Sequence, residues 1–137
     1  MYNDIFPNEI ELRIRAEERE QVIKLLDILD NKKATDIIAI DVADKTIVAD
    51  WFVICSGTSV IQVKAICDEV LEKYPEAGLT LRRNEGYTEG RWIVLDFGYV
   101  LLHIFYPEER EYYNIERLWT DGANEVIRWP LKAAEDK

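Results

Sequence analysis

Residues 91–106 carry two apolar runs, RWIVLDF and YVLLHIFY, divided by a single glycine, and the pattern reads as a tight antiparallel hairpin. With Gly98 and Tyr99 as a two-residue loop, the glycine takes the positive φ of a type II′ turn. A bulky Tyr99 resists the second positive φ that type I′ requires. This turn dictates the register. Phe97 faces Val100, Leu95 faces Leu102 and Ile93 faces Ile104, which gives one wholly apolar surface that must be buried. The opposite surface is mixed: Trp92 faces Phe105, Val94 faces His103 and Asp96 faces Leu101. That places Trp92, Asp96 and the chain's single histidine in one neighbourhood.

A chain of 137 residues is long enough for one core and too short to expect two. Its long apolar runs are strand-like, so no membrane-spanning helix is expected. The first residues, MYNDIFPNEIELRIRAEER, lack the apolar block of a signal peptide, and the expected location is the cytoplasm. Cys55 and Cys67 stand apart without metal or redox spacing and read as free buried thiols. The formal charge of −10 bears on partners more than on fold. A field of that sign repels a bare phosphate backbone, so direct DNA binding is not expected, whereas basic protein surfaces are attracted. The plainer reading is that the acids serve solubility.

Around the hairpin the pattern alternates between helix and strand. Residues 1–15 contain Pro7 and no clean periodicity, which suggests a loosely attached arm. Over residues 16–33, Val22, Ile23, Leu25, Leu26 and Leu29 form an apolar helical stripe behind Glu17, Glu18 and Glu20. Residues 36–43 (DIIAIDVA) and 50–56 (DWFVICS) read as buried strands. The second runs into Gly57-Thr58-Ser59 and then a helix whose apolar positions extend from Val60 to Tyr74. Gln62 stands there as the capping-box partner of Ser59. Pro75 stops that helix, Gly78 turns the chain, and residues 79–84 suggest a short third strand. After the hairpin, Pro107 suits a first helical position with Glu108 and Glu109 behind it, and Asn114 could cap a second short helix. Tyr112, Ile115 and Trp119 are expected on one face. The order predicts an α/β fold, a mixed β-sheet with flanking helices. From Thr120 the pattern weakens into a tail, docked by Trp129 or mobile. The expected organisation is an arm (1–15), one α/β domain (16–121) and a C-terminal tail (122–137).

Three constellations invite chemistry. Asp96 and His103 are diagonal neighbours, and a carboxylate beside an imidazole is the core of general-base catalysis. No motif places Ser56, Thr58 or Ser59 as the nucleophile, so a structural or interface histidine is the more ordinary reading. The glycine turn at 57–59 could expose backbone N–H groups to a phosphate, but it lacks a P-loop lysine and the dinucleotide glycines, and a simple helix cap explains it. One histidine and two scattered cysteines give no metal spacing, which leaves only Asp41, Asp44 and Asp50 at strand ends. No cofactor or metal is therefore expected. The aromatics are more suggestive: Tyr87, Trp92, Tyr99, Phe105, Tyr106, Tyr112, Tyr113 and Trp119 crowd into one region, and exposed Trp and Tyr are common interface anchors.

Over about residues 33–121 the chain resembles the Iojap family of ribosomal silencing factors. The residues that carry the resemblance are the DIIAIDV strand, DWFVICSGTS, VKAICDEVLE, EGYTEGRWIVLDFG, the HIF of residues 103–105 and REYYNIERLW. The resemblance implies a nucleotidyltransferase-like topology without transferase activity, hence not an enzyme. It also implies binding to the large ribosomal subunit through its fourteenth protein, steric blockage of subunit joining, and repression of translation in nutrient shortage. Trp92, Tyr113, Glu116 and Trp119 match the family's docking region, with Asp96 and His103 shaping the same sheet face. Self-association into a homodimer is a further implication. Where the family usually has an acid after the hairpin glycine, this chain has Tyr99. The rival readings are a cryptic nucleotidyltransferase-like enzyme and a homodimeric scaffold.

Overall fold

The computed structural model describes residues 2–74, 79–120 and 122–131. The elements are α1 (Tyr2–Asn31), β1 (Thr35–Asp41), β2 (Trp51–Ser56), α2 (Val60–Lys73), β3 (Arg83–Glu85), β4 (Trp92–Asp96), β5 (Val100–Phe105), α3 (Pro107–Tyr113), α4 (Ile115–Trp119) and β6 (Val126–Trp129). The strands form one sheet in the order β3-β4-β5-β2-β1-β6. Every neighbouring pair is antiparallel except β2 with β5, so the sheet is mixed, as the alternating pattern predicts.

The hairpin has the predicted register, with Trp92 opposite Phe105, Val94 opposite His103 and Asp96 opposite Leu101. Gly98 has a φ of +97°, and the Phe97 N–H donates to the Val100 carbonyl at 2.9 Å, closing the two-residue loop. The apolar side of the hairpin is fully engaged: Ile93, Leu95, Leu102 and Ile104 have no exposed surface. It joins Val22, Leu25, Leu26 and Leu29 of α1, and Val63, Ile66, Cys67 and Val70 of α2, in the main core. Both cysteines are free and buried.

The opposite side of the sheet is thinner. Ile38, Ile40, Val42, Ala49, Phe52, Ile54 and Phe105 form a second, smaller cluster, over which Trp92, Leu101, Ile115, Trp119 and Val126 are only partly buried. Short helices α3 and α4 lie on this side, divided by Asn114 in the left-handed region (φ +46°, ψ +49°). Thus one sheet face is sealed by two long helices and the other is covered by two short ones.

Several boundaries differ from expectation. Residues 2–15, expected as a loose arm, continue α1, which spans 30 residues. Glu, Leu, Arg and Ala in EIELRIRAEERE favour helix without needing a buried stripe. Ile10, Leu12 and Ile14 accordingly stay exposed. Arg15 anchors this part of α1 through Glu18 and Asp41. The expected tail contains β6, which pairs with β1 from Ile37↔Trp129 to Ile40↔Val126. A four-residue strand shows almost no periodicity, and its partner lies some ninety residues earlier in the chain. Expected strand 79–84 shrinks to Arg83–Glu85, because Leu79 and Leu81 pack onto the main core instead. The proposed helix stop at Pro75 and turn at Gly78 lie outside the described residues.

Candidate functional site

The thinly covered face carries a continuous chain of rings. Trp92 on β4 stacks on Phe105 of β5, with centroids 4.8 Å apart and planes at 27°. On α3, Tyr113 lies 4.7 Å from the Trp92 ring and meets Tyr112 edge-on at 4.9 Å. Phe52 of β2 touches His103 edge-on at 5.5 Å and Trp119 at 5.2 Å. The path from Trp119 through Phe52, His103 and Trp92 to Tyr113 and Tyr112 therefore crosses three central strands and ends on both short helices. Its tyrosine end is open, with Tyr112 81% and Tyr113 49% exposed, while Trp119 at the other end is half-buried beside the exposed Leu118. Beside Tyr112 and Tyr113 lies a cleft of about 340 Å³, also lined by Glu108 and Glu109. Those two carboxylates accept from Arg91, whose guanidinium lies 4.6 Å from the centre of the Tyr106 ring; this ties the start of β4 to α3.

His103 is buried, and its Nδ1 accepts the Trp92 indole N–H at 3.1 Å. In the neutral ring the proton then sits on Nε2, a buried atom without a hydrogen-bond partner. Burial pushes the His103 pKa down to about 4, so the ring is neutral near pH 7. Asp96 does not join it. Its carboxylate accepts the Gly98 N–H at 2.8 Å and lies 3.9 Å from Arg83, bracing the hairpin turn rather than a catalytic dyad. Along a strand, four residues separate Asp96 from Trp92 by roughly 13 Å. The register places both Trp92 and Asp96 diagonal to His103, as expected, but only Trp92 bonds it.

Glu116 belongs to a separate network. Arg110 donates to its two carboxylate oxygens at 2.9 and 3.1 Å and to the Ser56 hydroxyl at 2.9 Å. This fork fastens α3 and α4 to the end of β2, and the hydroxyl considered as a nucleophile is engaged as an acceptor. Trp119 is locked by Phe52 and by Asn124, whose amide donates to the Trp119 carbonyl at 2.7 Å. Ile115 and Trp119 pack on the sheet while Tyr112 points away, because the left-handed Asn114 resets the helical phase between them. Sequence reasoning named neither Phe52 nor Leu118 for this face. Phe52 alternates with Val53 in β2, but only the parallel pairing of β2 with β5 brings it beside His103.

At the glycine turn, Ser59 caps α2 by accepting the Gln62 N–H at 3.1 Å. The Gln62 side-chain carbonyl accepts the Thr58 N–H at 2.6 Å and the Thr58 hydroxyl at 2.7 Å. Of the N–H groups considered for a phosphate, that of Gly57 is held by the Phe105 carbonyl and that of Thr58 by the Gln62 side chain. Among the described residues, no group of three His, Cys, Asp or Glu is arranged to hold a metal ion.

A family model described as ribosomal silencing factor during starvation matches residues 15–137. The Bacillus subtilis ribosomal silencing factor is 45% identical over 93 residues, covering 68% of this chain and 79% of that protein. Among solved structures, one from Bacillus halodurans superposes with a TM-score of 0.65 at 38% identity, covering 73% of this chain and 94% of its own. Another, from Chromobacterium violaceum, gives a TM-score of 0.72 at 32% identity, covering 85% and 95%.

Proposed function

Because the chain belongs to the ribosomal silencing factor family, we propose that it docks on the large ribosomal subunit and blocks subunit joining by its bulk. In this reading it binds the fourteenth large-subunit protein at the intersubunit face, and translation falls when nutrients are short. The observation that carries it is the ring chain on the thinly covered sheet face, open at Tyr112 and Tyr113 beside two glutamates. A net charge of −10 draws a basic ribosomal protein toward such a surface, and aromatic anchors then supply the contact area. Steric exclusion needs affinity and position and no bond-making step. A family of regulatory factors points away from catalysis as well. Trp92, Tyr113 and Trp119 supply apolar contact in this proposal, His103 supports them from beneath, and Asp96 and Glu116 hold the turn and the short helices in place.

The test is co-sedimentation with isolated large subunits, followed by subunit-joining assays with added small subunits. The wild-type chain is expected to pellet with large subunits at low salt and to suppress joining. Trp92→Ala and Tyr113→Ala should each weaken binding by about 2 kcal/mol, roughly thirtyfold, while the domain stays folded. No pelleting at low salt, or unchanged affinity in both variants, refutes the reading.

A further inference from the structure

We propose that His103 is the positioning residue of this docking face: its Nδ1 holds the Trp92 indole N–H and thereby sets the plane in which the indole lies between Phe105 and Tyr113. The inference rests on the docking reading for its purpose, though not for its geometry. Trp92 is the hub of the ring chain, in contact with Phe105, His103 and Tyr113. Stacking alone leaves an indole some freedom to swing about its Cα–Cβ and Cβ–Cγ bonds, since a flat ring slides and tilts on another at little energetic cost. A directed N–H to nitrogen bond of 3.1 Å removes that freedom. The acceptor is itself fixed: His103 is buried, parallel to Phe105 within 12° and edge-on to Phe52. Two strands and three aromatic contacts thus fix one tautomer and one indole orientation.

The arrangement also specifies what the face can recognise. With its N–H engaged internally, Trp92 has no donor to offer a partner's carbonyl or phosphate. What remains are ring edges, the Tyr112 and Tyr113 rings, and the exposed carboxylate of Glu108, which Arg91 only partly engages, a set that suits the stem and cationic head of a lysine or arginine side chain.

His103 is the chain's single histidine, so its ring nitrogens can be read in a ¹⁵N spectrum of the wild-type protein without site assignment. The expected result is the Nε2–H tautomer with Nδ1 unprotonated and coupled to one indole N–H; the opposite tautomer overturns the proposal. Two polar variants give the second reading. His103→Asn keeps an acceptor oxygen at the δ position, whereas His103→Gln moves it out to the ε position. The Trp92 indole signal should stay near its wild-type position in H103N and shift in H103Q. The Trp51, Trp119 and Trp129 indoles serve as the folding control. Affinity for isolated large subunits should remain within about threefold of wild type in H103N and fall about tenfold in H103Q, as loss of one oriented hydrogen bond allows. An indole signal that ignores both variants overturns the clamp, and equal affinity in both overturns its role in docking. If the wild-type chain shows the expected tautomer yet fails to bind large subunits, the docking reading falls and the clamp stands.

Discussion

Replacing Glu18 by glutamine is expected to stabilise the chain at neutral pH, even though it removes an ion pair. Glu18 is 9% exposed, receives a 3.0 Å bond from Arg15 and lies beside Asp50. Burial, reinforced by Asp50, raises its pKa from 4.5 to about 7 against the opposing pull of Arg15. Between those values the folded chain holds a proton that the unfolded chain has released. The stabilisation is therefore complete below pH 4.5 and lost as pH rises through 7. A displacement of 2.5 pH units corresponds to about 3 kcal/mol at 1.36 kcal/mol per unit. Glutamine mimics the protonated acid: it can accept from Arg15 and donate to Asp50 at any pH. Urea unfolding from pH 4 to 8 should show E18Q equal to wild type near pH 4.5 and ahead by about 3 kcal/mol above pH 7, or about 10 °C in Tm for a chain of this size. His103 titrates in the opposite sense. Its folded pKa of about 4 lies below the ordinary 6.5, so its contribution is present above pH 6.5 and lost as pH falls toward 4. The two effects oppose each other over most of this range in the wild type, and E18Q should expose the His103 loss, again about 3 kcal/mol. A variant that is less stable than wild type at pH 7.5, or that runs parallel to it at every pH, refutes the reasoning.

Other perturbations test the frame of the site. Ser59→Ala removes the cap of α2 and should cost about 1 kcal/mol in urea unfolding, leaving large-subunit binding unchanged. Gly86→Ala would place its Cβ 2.0 Å from the Trp92 carbonyl oxygen at a φ of +89°, so the β3–β4 connection must shift; a loss of several kcal/mol and weaker docking are expected together. Gly98→Ala meets no atom closer than 3.7 Å and suffers only from its φ of +97°, so calorimetry should show a smaller loss, about 1–2 kcal/mol.

The hairpin was legible because three signals agree there: a lone glycine where positive φ is needed, period-two alternation on both sides, and a side chain at Tyr99 that selects the turn type. The stripe Val22, Leu25, Leu26 and Leu29 was legible for the same reason, since burial imposes its period on the residues that are buried. Where burial is absent the signal vanishes, and the first half of α1 went unread although its residues favour helix. β6 was hidden differently: four residues carry little pattern, and the edge they cover belongs to a strand far away in sequence. The ring chain was half legible. Pairing across the hairpin joins Trp92 to His103 and Phe105, whereas Phe52 enters only through the parallel β2–β5 contact, which no local rule dictates. Asp96 lies diagonal to His103 as the register predicts, but register does not say which neighbour a carboxylate bonds, and its oxygen serves the turn at Gly98.

The placement of β6 has a consequence for how the protein is made. β1 is complete by Asp41, yet the strand that pairs along its outer side spans Val126–Trp129 and is made some ninety residues later. During synthesis the nascent chain therefore carries an unclosed row of peptide N–H and C=O groups on alternate residues, Ile37, Ala39 and Asp41, a template for any other extended segment nearby. A chain ended at residue 121 would keep the ring-bearing face and leave the seven-residue, isoleucine-rich β1 as the sheet's edge in place of the four-residue β6, a longer and more apolar template for pairing.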